Sequence, residues 1–367
     1  MKKQLSSIEL HFITEELKPL EGSRVDKIYH PEKNLLIFSL RKPNEGKKLL
    51  NINIGTSMYI AQNKEPAESI LGFGQLLRKH IDGWFLYEIS QIEPERIAKL
   101  SFSMKDEKKH LYIEFFGGGN AILCDDKNII INALEHHEFR DRSIKPKNEY
   151  KHPSMKYNIF SMNSKDIEGL LSNSKKDSIV TCLATELGLG GVYSEEVCML
   201  AEIDKKTSPK EVKEPKQILQ SIKKIIESKL KPIIVYENDN IIDAVPFNVK
   251  IYQDKETKQF ETFSSALEFF YSNFKEVKEN EHEKALGKLN RIIEEQKNSL
   301  EELKSEEKEA REKAEIIYHK YSMINEILEE LNKASKKHSW KEIKEKLKGH
   351  KTIQDINEKE RKAVIDI

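Results

Sequence analysis

The sequence predicts an α+β protein made of a lobe of antiparallel strands, a helix–hairpin–helix domain and a long coiled-coil helix. Three observations carry that reading. Short apolar runs bounded by turn residues recur through the first 135 residues. A glycine-rich corner, Gly188-Leu189-Gly190-Gly191, divides a later helical stretch. Beyond Pro246 there is no proline, and only Gly287 and Gly349 remain to interrupt a Glu- and Lys-rich helical pattern.

The elements follow in order. Ser6-Ser7-Ile8-Glu9 has the spacing of a capping box, in which the serine hydroxyl and the glutamate carboxylate satisfy each other's backbone N–H groups. It opens a helix that ends near Pro19. Strands are predicted at Arg24–His30, Leu35–Arg41, Leu49–Ile54 and Met58–Gln62, and a second helix over Pro66–Ile81, where Leu71, Leu76, Leu77 and Ile81 recur near helical spacing. A further meander is predicted at Phe85–Ile92, Arg96–Met104, His110–Phe116, Ala121–Cys124 and Ile129–Leu134, and its short links favour antiparallel pairing. Ser164–Lys205 reads as two helical halves around the glycine corner. Asp204–Lys216 reads as a linker, and a strand pair is expected at Ile233–Tyr236 and Ile241–Tyr252.

The heptad pattern in the last third is sharp. Alternate steps of three and four from Leu286 land on Leu289, Ile293, Gln296, Leu300, Leu303, Glu307, Ala310, Ala314, Ile317, Tyr321, Ile324, Leu328 and Leu331, so only Gln296 and Glu307 break the seam. At about 1.5 Å per residue this helix extends roughly 65–75 Å, and such a seam needs a partner helix. The partner is expected either beyond Ile367, where the chain stops without a cap, or on a second copy as a homodimer. Ser339–Leu347 reads as a short helix and Thr352–Ile367 as an extended element.

Composition narrows the function. The 62 Lys+Arg balance 62 Asp+Glu, so affinity for nucleic acid must come from a local basic face rather than from overall excess. The first 17 residues lack the apolar core of a signal peptide, and no stretch approaches the ~20 apolar residues of a membrane span, so a cytoplasmic protein with no membrane partner is expected. Cys124, Cys182 and Cys198 form no paired spacing, which speaks against zinc and against a disulfide framework. No metal and no cofactor are expected.

Several local patterns bear on binding. Phe115-Phe116-Gly117-Gly118-Gly119-Asn120 lies between two strands, where three residues without Cβ let backbone amides approach a phosphate or a base; a tight hairpin turn is the plainer reading. Glu95-Arg96 follows Pro94 and pairs an acceptor with a planar five-donor group able to grip phosphate or a base edge, though surface ion pairs are common. Arg78-Lys79-His80 near a helix end fits either a phosphate patch or cations complementing the helix dipole. Glu9 completes the capping box whatever else it does. His136-His137, flanked by Glu135, Glu138 and Asp141, lacks the spacing that converges on one ion and reads as a solvated loop. The Gly188–Gly191 corner is the most functional of these signals, because such units offer N–H groups at a helix start to nucleic-acid phosphate; the alternative is a plain helix–helix corner. No nucleophile elbow, HExxH motif or catalytic carboxylate pair is visible, and no enzyme is expected.

Together these residues resemble the NFACT family, which comprises the bacterial fibronectin-binding protein A and RqcH group and the archaeal and eukaryotic nuclear export mediator factor (NEMF) group. The resemblance runs over essentially the whole chain. It rests on Leu20-Glu21-Gly22-Ser23-Arg24-Val25-Asp26-Lys27-Ile28-Tyr29, on Leu76-Leu77-Arg78-Lys79-His80-Ile81-Asp82-Gly83, and on Glu114-Phe115-Phe116-Gly117-Gly118-Gly119-Asn120-Ala121-Ile122-Leu123. Leu187-Gly188-Leu189-Gly190-Gly191-Val192-Tyr193-Ser194-Glu195-Glu196 and Lys313-Ala314-Glu315-Ile316-Ile317-Tyr318 add to it, and Ser339-Trp340-Lys341-Glu342-Ile343 is most similar to the archaeal and eukaryotic branch.

The resemblance implies a ribosome-associated quality-control factor. Such a factor binds the large ribosomal subunit, its rRNA and stalk-region proteins, while a stalled chain remains on tRNA. It recruits charged tRNA for untemplated C-terminal tailing, with the ribosome forming the peptide bonds. On this reading the domains are an N-terminal lobe over 1–160 and 209–276 with an Fpg/Nei-like fold, a helix–hairpin–helix domain over 161–208, a coiled-coil helix over 277–336 and a tip or middle region over 337–367. Contacts to tRNA fall on Glu9, Arg78, Lys79, Glu95, Arg96, Gly118, Gly119, Asn120, Arg140 and Arg142, and contacts to nucleic-acid backbone on Gly188, Gly190 and Gly191. Arg96, Gly118, Asn120 and the hairpin glycines are then expected to share one concave basic face. The family's tRNA-contacting Asp-Arg pair is met here by Glu95-Arg96, and its first-helix aspartate by Glu9, which keeps charge and changes reach. Its C-terminal NFACT-R region has no counterpart, as expected of a fragment. Two other functions stand beside this one. A DNA-binding or glycosylase-like repair factor is suggested by the Fpg/Nei likeness, but the start Met1-Lys2-Lys3 lacks that group's catalytic proline, and its zinc cysteines are missing. A surface adhesin is suggested by the fibronectin-binding name alone.

Overall fold

The computed structural model describes residues 4–62, 70–153, 155–350, 352–357 and 360–365, with backbone alone for 274–288 and 290. It divides into two compact units, Met1–Glu276 and Val277–Ile367.

The first unit is built around helix α1 (Ser7–Leu17). Its capping box forms as the sequence predicts, with Ser6 N–H donating to Glu9 Oε2 at 2.8 Å and Glu9 N–H to Ser6 Oγ at 3.2 Å. The helix buries residues on nearly all sides, including Ile8, Leu10, Phe12, Ile13 and Leu17 together with Ser7, Glu9 and Thr14. A helix apolar all round belongs between layers, and α1 has protein on both sides.

On one side lies a nine-stranded sheet. Its strands are β1 (Arg24–Glu32), β2 (Leu35–Lys42), β3 (Gly46–Asn53), β4 (Ser57–Ala61), β5 (Phe85–Gln91), β6 (Ile97–Met104), β7 (Glu107–Glu114), β8 (Asn120–Asp125) and β9 (Ile130–Ala133), in the order β4-β3-β2-β1-β5-β6-β7-β8-β9. Every pairing is antiparallel, as the short links demand. Two meanders meet at β1 and β5 through the register pair Arg24↔Phe85. Helix α2 (Gly72–Ile81) joins them and packs Phe73, Leu77 and Ile81 toward β1; the predicted start at Pro66 lies outside the described residues. The period-2 alternation sends Leu111 and Ile113 of β7 into the main core and Tyr112 into a second cluster on the opposite face, with Ile122, Cys124 and Tyr150. A small hairpin, β10 (His137–Glu138) and β11 (Ser143–Ile144), follows.

On the other side of α1 lie α3 (Ser164–Asn173), α4 (Ile179–Glu186), α5 (Gly190–Leu200), α6 (Pro215–Ile226) and a small sheet of β12 (Ile233–Glu237), β13 (Asn240–Val245) and β14 (Glu256–Gln259), ordered β13-β12-β14. Three helices thus occupy the stretch read as two halves. The predicted linker at Asp204–Lys216 is no linker: Pro209 is buried, and Lys205 and Thr207 carbonyls accept from Val180 and Ile179 N–H at the start of α4. Its polarity reflects unused outward side chains, while its backbone closes a helix end. The strand expected to run to Tyr252 stops at Val245, and Lys250–Tyr252 forms a helical turn. Helix α7 (Phe263–His319) begins in this unit. Glu16 at the end of α1 caps it, accepting from Phe263 N–H at 2.6 Å and Ser264 N–H at 2.8 Å. Ser264 and Glu268 in turn accept from Ile60 and Gln62 N–H, covering the free edge of the sheet.

In the second unit α7 ends at His319, and α8 (Tyr321–Ser335) follows after Lys320 leaves helical geometry. The long helix is therefore interrupted there, not at Gly287, although Lys320 N–H to Ile316 and Ile324 N–H to Lys320 carry hydrogen bonding across the break. Helix α9 (Trp340–Lys346) also starts with a capping box, Ser339 with Glu342. A hairpin, β15 (Ile353–Asn357) and β16 (Lys362–Ile365), completes a small core of Leu331, Ile343, Ile353 and Ile356. Along α7 the seam residues Leu289, Ile293, Leu300, Leu303 and Ile317 are exposed.

Candidate nucleic-acid interface

The turn from β5 to β6 is stapled to the start of α1. Ser7 Oγ donates to Pro94 O at 2.6 Å, and the Gln91 amide donates to Ser7 Oγ, Ser7 O and Glu95 O at 3.0, 3.1 and 2.9 Å. The Glu93–Pro94 bond in this turn is cis. Opposite stands the turn from α4 to α5, where Gly188 and Gly190 take left-handed φ of +67° and +73° that a side chain would strain. Between these walls lies a cavity of about 790 Å³, lined among others by Glu9, Glu95, Arg96, Gly188, Gly190 and Gly191. Two predicted sets far apart in sequence thus meet in one place.

Its electrostatics are mixed. No side chain caps α5, so the N–H groups that lead its first turn, at Gly190, Gly191 and Val192, belong to the cavity wall with their partial positive charge. Arg96 is half-buried and its Nη1 donates to Gln4 Oε1 at 3.2 Å; burial pulls its pKa below the ordinary guanidinium value. Glu95 is buried, and its Oε1 has no hydrogen-bond partner among the described residues. Burial pushes its pKa up, while the Met155 backbone N–H and the nearby His152, Arg96 and Arg142 pull it down. Glu9 accepts from Tyr193 O–H at 3.0 Å besides serving the capping box, so it ties α1 to α5. Asp243 also lines the cavity and accepts from Tyr252 O–H at 2.8 Å. With Glu9, Glu95 and Asp243 against Arg96, the face leans acidic, not basic as expected.

Other predicted residues sit elsewhere. Asn120 is buried, and its amide holds the chain after β9: Oδ1 accepts from Glu135 N–H at 3.0 Å and Nδ2 donates to Glu135 O at 2.9 Å. Gly119 packs against the β3–β4 turn, where an added Cβ would stand 2.3 Å from Gly55 N. Gly118 is exposed with open space around it. None of these three lines the cavity itself, but their loop borders it: Phe116 is on the wall, and Gln4, which accepts from Arg96, donates from Nε2 to Gly117 O at 3.0 Å. Arg142 grips Glu114 with both terminal nitrogens, at 2.5 and 3.3 Å, and its guanidinium lies 4.8 Å from the Phe139 ring centre and 5.6 Å from that of Phe116. Both terminal nitrogens are thereby engaged within the fold, and Tyr150 O–H donates to Glu114 Oε1 at 3.0 Å. Arg140 is exposed at the tip of the β10–β11 hairpin. Arg78 donates from Nε to Ile28 O at 2.8 Å across the α2–β1 contact, and Lys79 is exposed beside it.

His136 Nε2 bonds Asn132 Oδ1, and no cluster suited to a metal occurs among the described residues. The three cysteines are free and buried, with thiols pushed up to about 12 at Cys124 and about 11 at Cys182 and Cys198. Among the described residues no helix is long and apolar enough to cross a membrane. The sequence reading missed Gln4, Met155, Asp243 and Tyr252 on the cavity wall, because no spacing links residues that only the fold brings together.

The α+β lobe thus carries one cavity that joins carboxylates, a guanidinium and a helix start without an N-cap side-chain bond. The chain belongs to the NFACT family: residues 6–362 match the profile of the NFACT N-terminal and middle domains. It is 29% identical to the archaeal Rqc2 homolog aRqcH of Methanocaldococcus jannaschii, over 98% of this chain and 57% of that protein. It is 22% identical to the human ribosome quality control complex subunit NEMF, over 94% of this chain and 35% of that protein. The chain thus spans about half the length of the archaeal relative and about a third of the human one. In fold it is similar to the N-terminal part of the fibronectin/fibrinogen-binding protein from Streptococcus suis, with a TM-score of 0.60 and 23% identity over 74% of this chain and 100% of that one.

Proposed function

We propose that this chain is the tRNA- and large-subunit-binding part of a ribosome quality-control factor, acting in the cytoplasm to recruit aminoacyl-tRNA for untemplated C-terminal tailing. The observation that carries it is the convergence of Glu9, Glu95 and Arg96 with the open start of α5 in one cavity. The relatives named for ribosome quality control supply the setting. In this reading the α5 N–H groups and Arg96 hold backbone phosphate, which helix starts and guanidinium forks suit. The free Oε1 of Glu95 accepts from the N–H edge of an unpaired base, where RNA is read by sequence. The chain binds and orients, peptide-bond chemistry stays with the ribosome, and no cofactor takes part. The helix–turn–helix of α4 and α5 serves as the helix–hairpin–helix. The exposed seam of α7 takes a second helix in a coiled coil that extends toward the stalk region.

The test is binding of purified tRNA by the wild type and by Arg96→Ala. The variant should lose tenfold or more in affinity with its melting temperature within about 2 °C, since Arg96 makes one side-chain bond, to Gln4. Parallel loss of affinity and stability would assign Arg96 to the fold.

A further inference from the structure

At one end of the strands of the large sheet, register lines up six residues in one row: Lys47 on β3, Arg41 on β2, Arg24 on β1, Phe85 on β5, Ser103 on β6 and Lys108 on β7. Directly opposed residues in antiparallel strands point to the same face, so these side chains share one surface. Five strand spacings of about 4.8 Å make the row roughly 24 Å long. Lys47, Arg41, Arg24, Phe85 and Lys108 are all exposed, Phe85 by 48%.

The row concentrates like charge. Like charges directly opposite repel, and Lys47, Arg41 and Arg24 stand opposite one another on consecutive strands. Asp26 relieves part of this, 3.0 Å from Lys47 Nζ and 3.9 Å from Arg41 Nε, so two cations share one carboxylate. Arg24 and Lys108 form no salt bridge with a described residue. Arg24 is held by its Nε on Gly83 O at 3.0 Å, and Lys108 Nζ lies 5.5 Å from the Tyr87 ring centre. Phe85, mid-row, leaves half its surface in water and adds little to the core. A line of cations with an open aromatic ring at its centre is how proteins follow an unpaired nucleic-acid strand: the charges meet phosphates and the ring stacks on a base.

We infer that this row is a second RNA-binding surface, which takes an unpaired stretch of RNA along the sheet. It is separate from the cavity, since Phe85 opens β5 and Glu95 follows its far end, roughly 20 Å of strand away. The inference goes beyond the proposed function and does not rest on it.

The test uses the full chain in an Arg96→Ala background, which removes the cavity's contribution, and a labelled uridine 12-mer titrated from 50 to 300 mM salt. Arg24→Gln with Lys108→Gln should weaken binding about tenfold or more and flatten the log–log salt slope by about 1.4, as two lost phosphate contacts on a single strand require. Phe85→Ala should weaken it about tenfold with the slope unchanged. Arg24→Lys with Lys108→Arg should bind as the parent does, which separates charge from folding. Unchanged affinity in the neutralised pair and in Phe85→Ala overturns the inference. So does an effect of the charges with none of Phe85 and equal competition by heparin, which would make the row a general polyanion surface. Either result leaves Arg96-dependent tRNA binding, and with it the proposed function, standing.

Discussion

At the residue scale the most informative side chain is Glu95, a buried carboxylate whose Oε1 has no hydrogen-bond partner among the described residues. Its pKa is raised, chiefly by burial, so folding favours its protonated form. The linkage sign follows: ionised Glu95 costs stability in full above its raised folded pKa, and the cost disappears as pH falls to the ordinary carboxylate value. Glu95→Gln should therefore raise the melting temperature at pH 7.5, and the gain should shrink toward nothing near pH 4. A gain equal at both pH values would mean that charge is not the cause. The glycine run makes the complementary case. Gly119→Ala forces a Cβ into the Gly55 backbone at a φ of +77° and should cost about 3 kcal/mol in urea unfolding, whereas Gly118→Ala, in open space, should stay within about 0.5 kcal/mol. The sequence presents both as equivalent members of one loop, and only the approach of a second backbone distinguishes them.

At the scale of elements, Arg142 and Glu114 fasten the β10–β11 hairpin to the sheet through a nearly buried two-pronged pair. Removing one partner of such a pair strands the other charge. Arg142→Leu should accordingly destabilise the first unit by roughly 3 kcal/mol, and Arg142→Leu combined with Glu114→Gln should recover part of it. Full additivity of the two changes, read by denaturant unfolding, would show that the pair is not coupled. Elements with strong local signals were legible beforehand. The Ser6–Glu9 capping box, the short helix from Ser339 and the strand runs stand within a few residues of their predicted places, because caps and period-2 burial are written in neighbouring residues. Asp204–Lys216 was misread because its role lies in its backbone, which composition does not report. The break at Lys320 gave no signal either, since no glycine or proline marks it. For the site, Glu9, Glu95, Arg96 and the hairpin glycines were legible and do converge, but Asn120 and Arg142 resemble ligand contacts in sequence and are bound within the fold. Their hydrogen-bond partners lie 15 and 28 residues away, and spacing cannot give them.

At the scale of the molecule, a balanced total charge conceals local contrast: an acid-leaning cavity at one end of β5 and a cationic row at the other. In the two proposals the cavity reads a base and the row follows a backbone. The measurement that tests the central claim most directly is capture of the wild type and of Arg96→Ala from source cells at low and moderate salt, with sequencing of the bound RNA. The account predicts large-subunit rRNA with a narrow set of tRNAs on the wild type, and loss of the tRNAs, with rRNA kept, on Arg96→Ala. Absence of tRNA from the wild type, or tRNA retained equally by the variant, would contradict it.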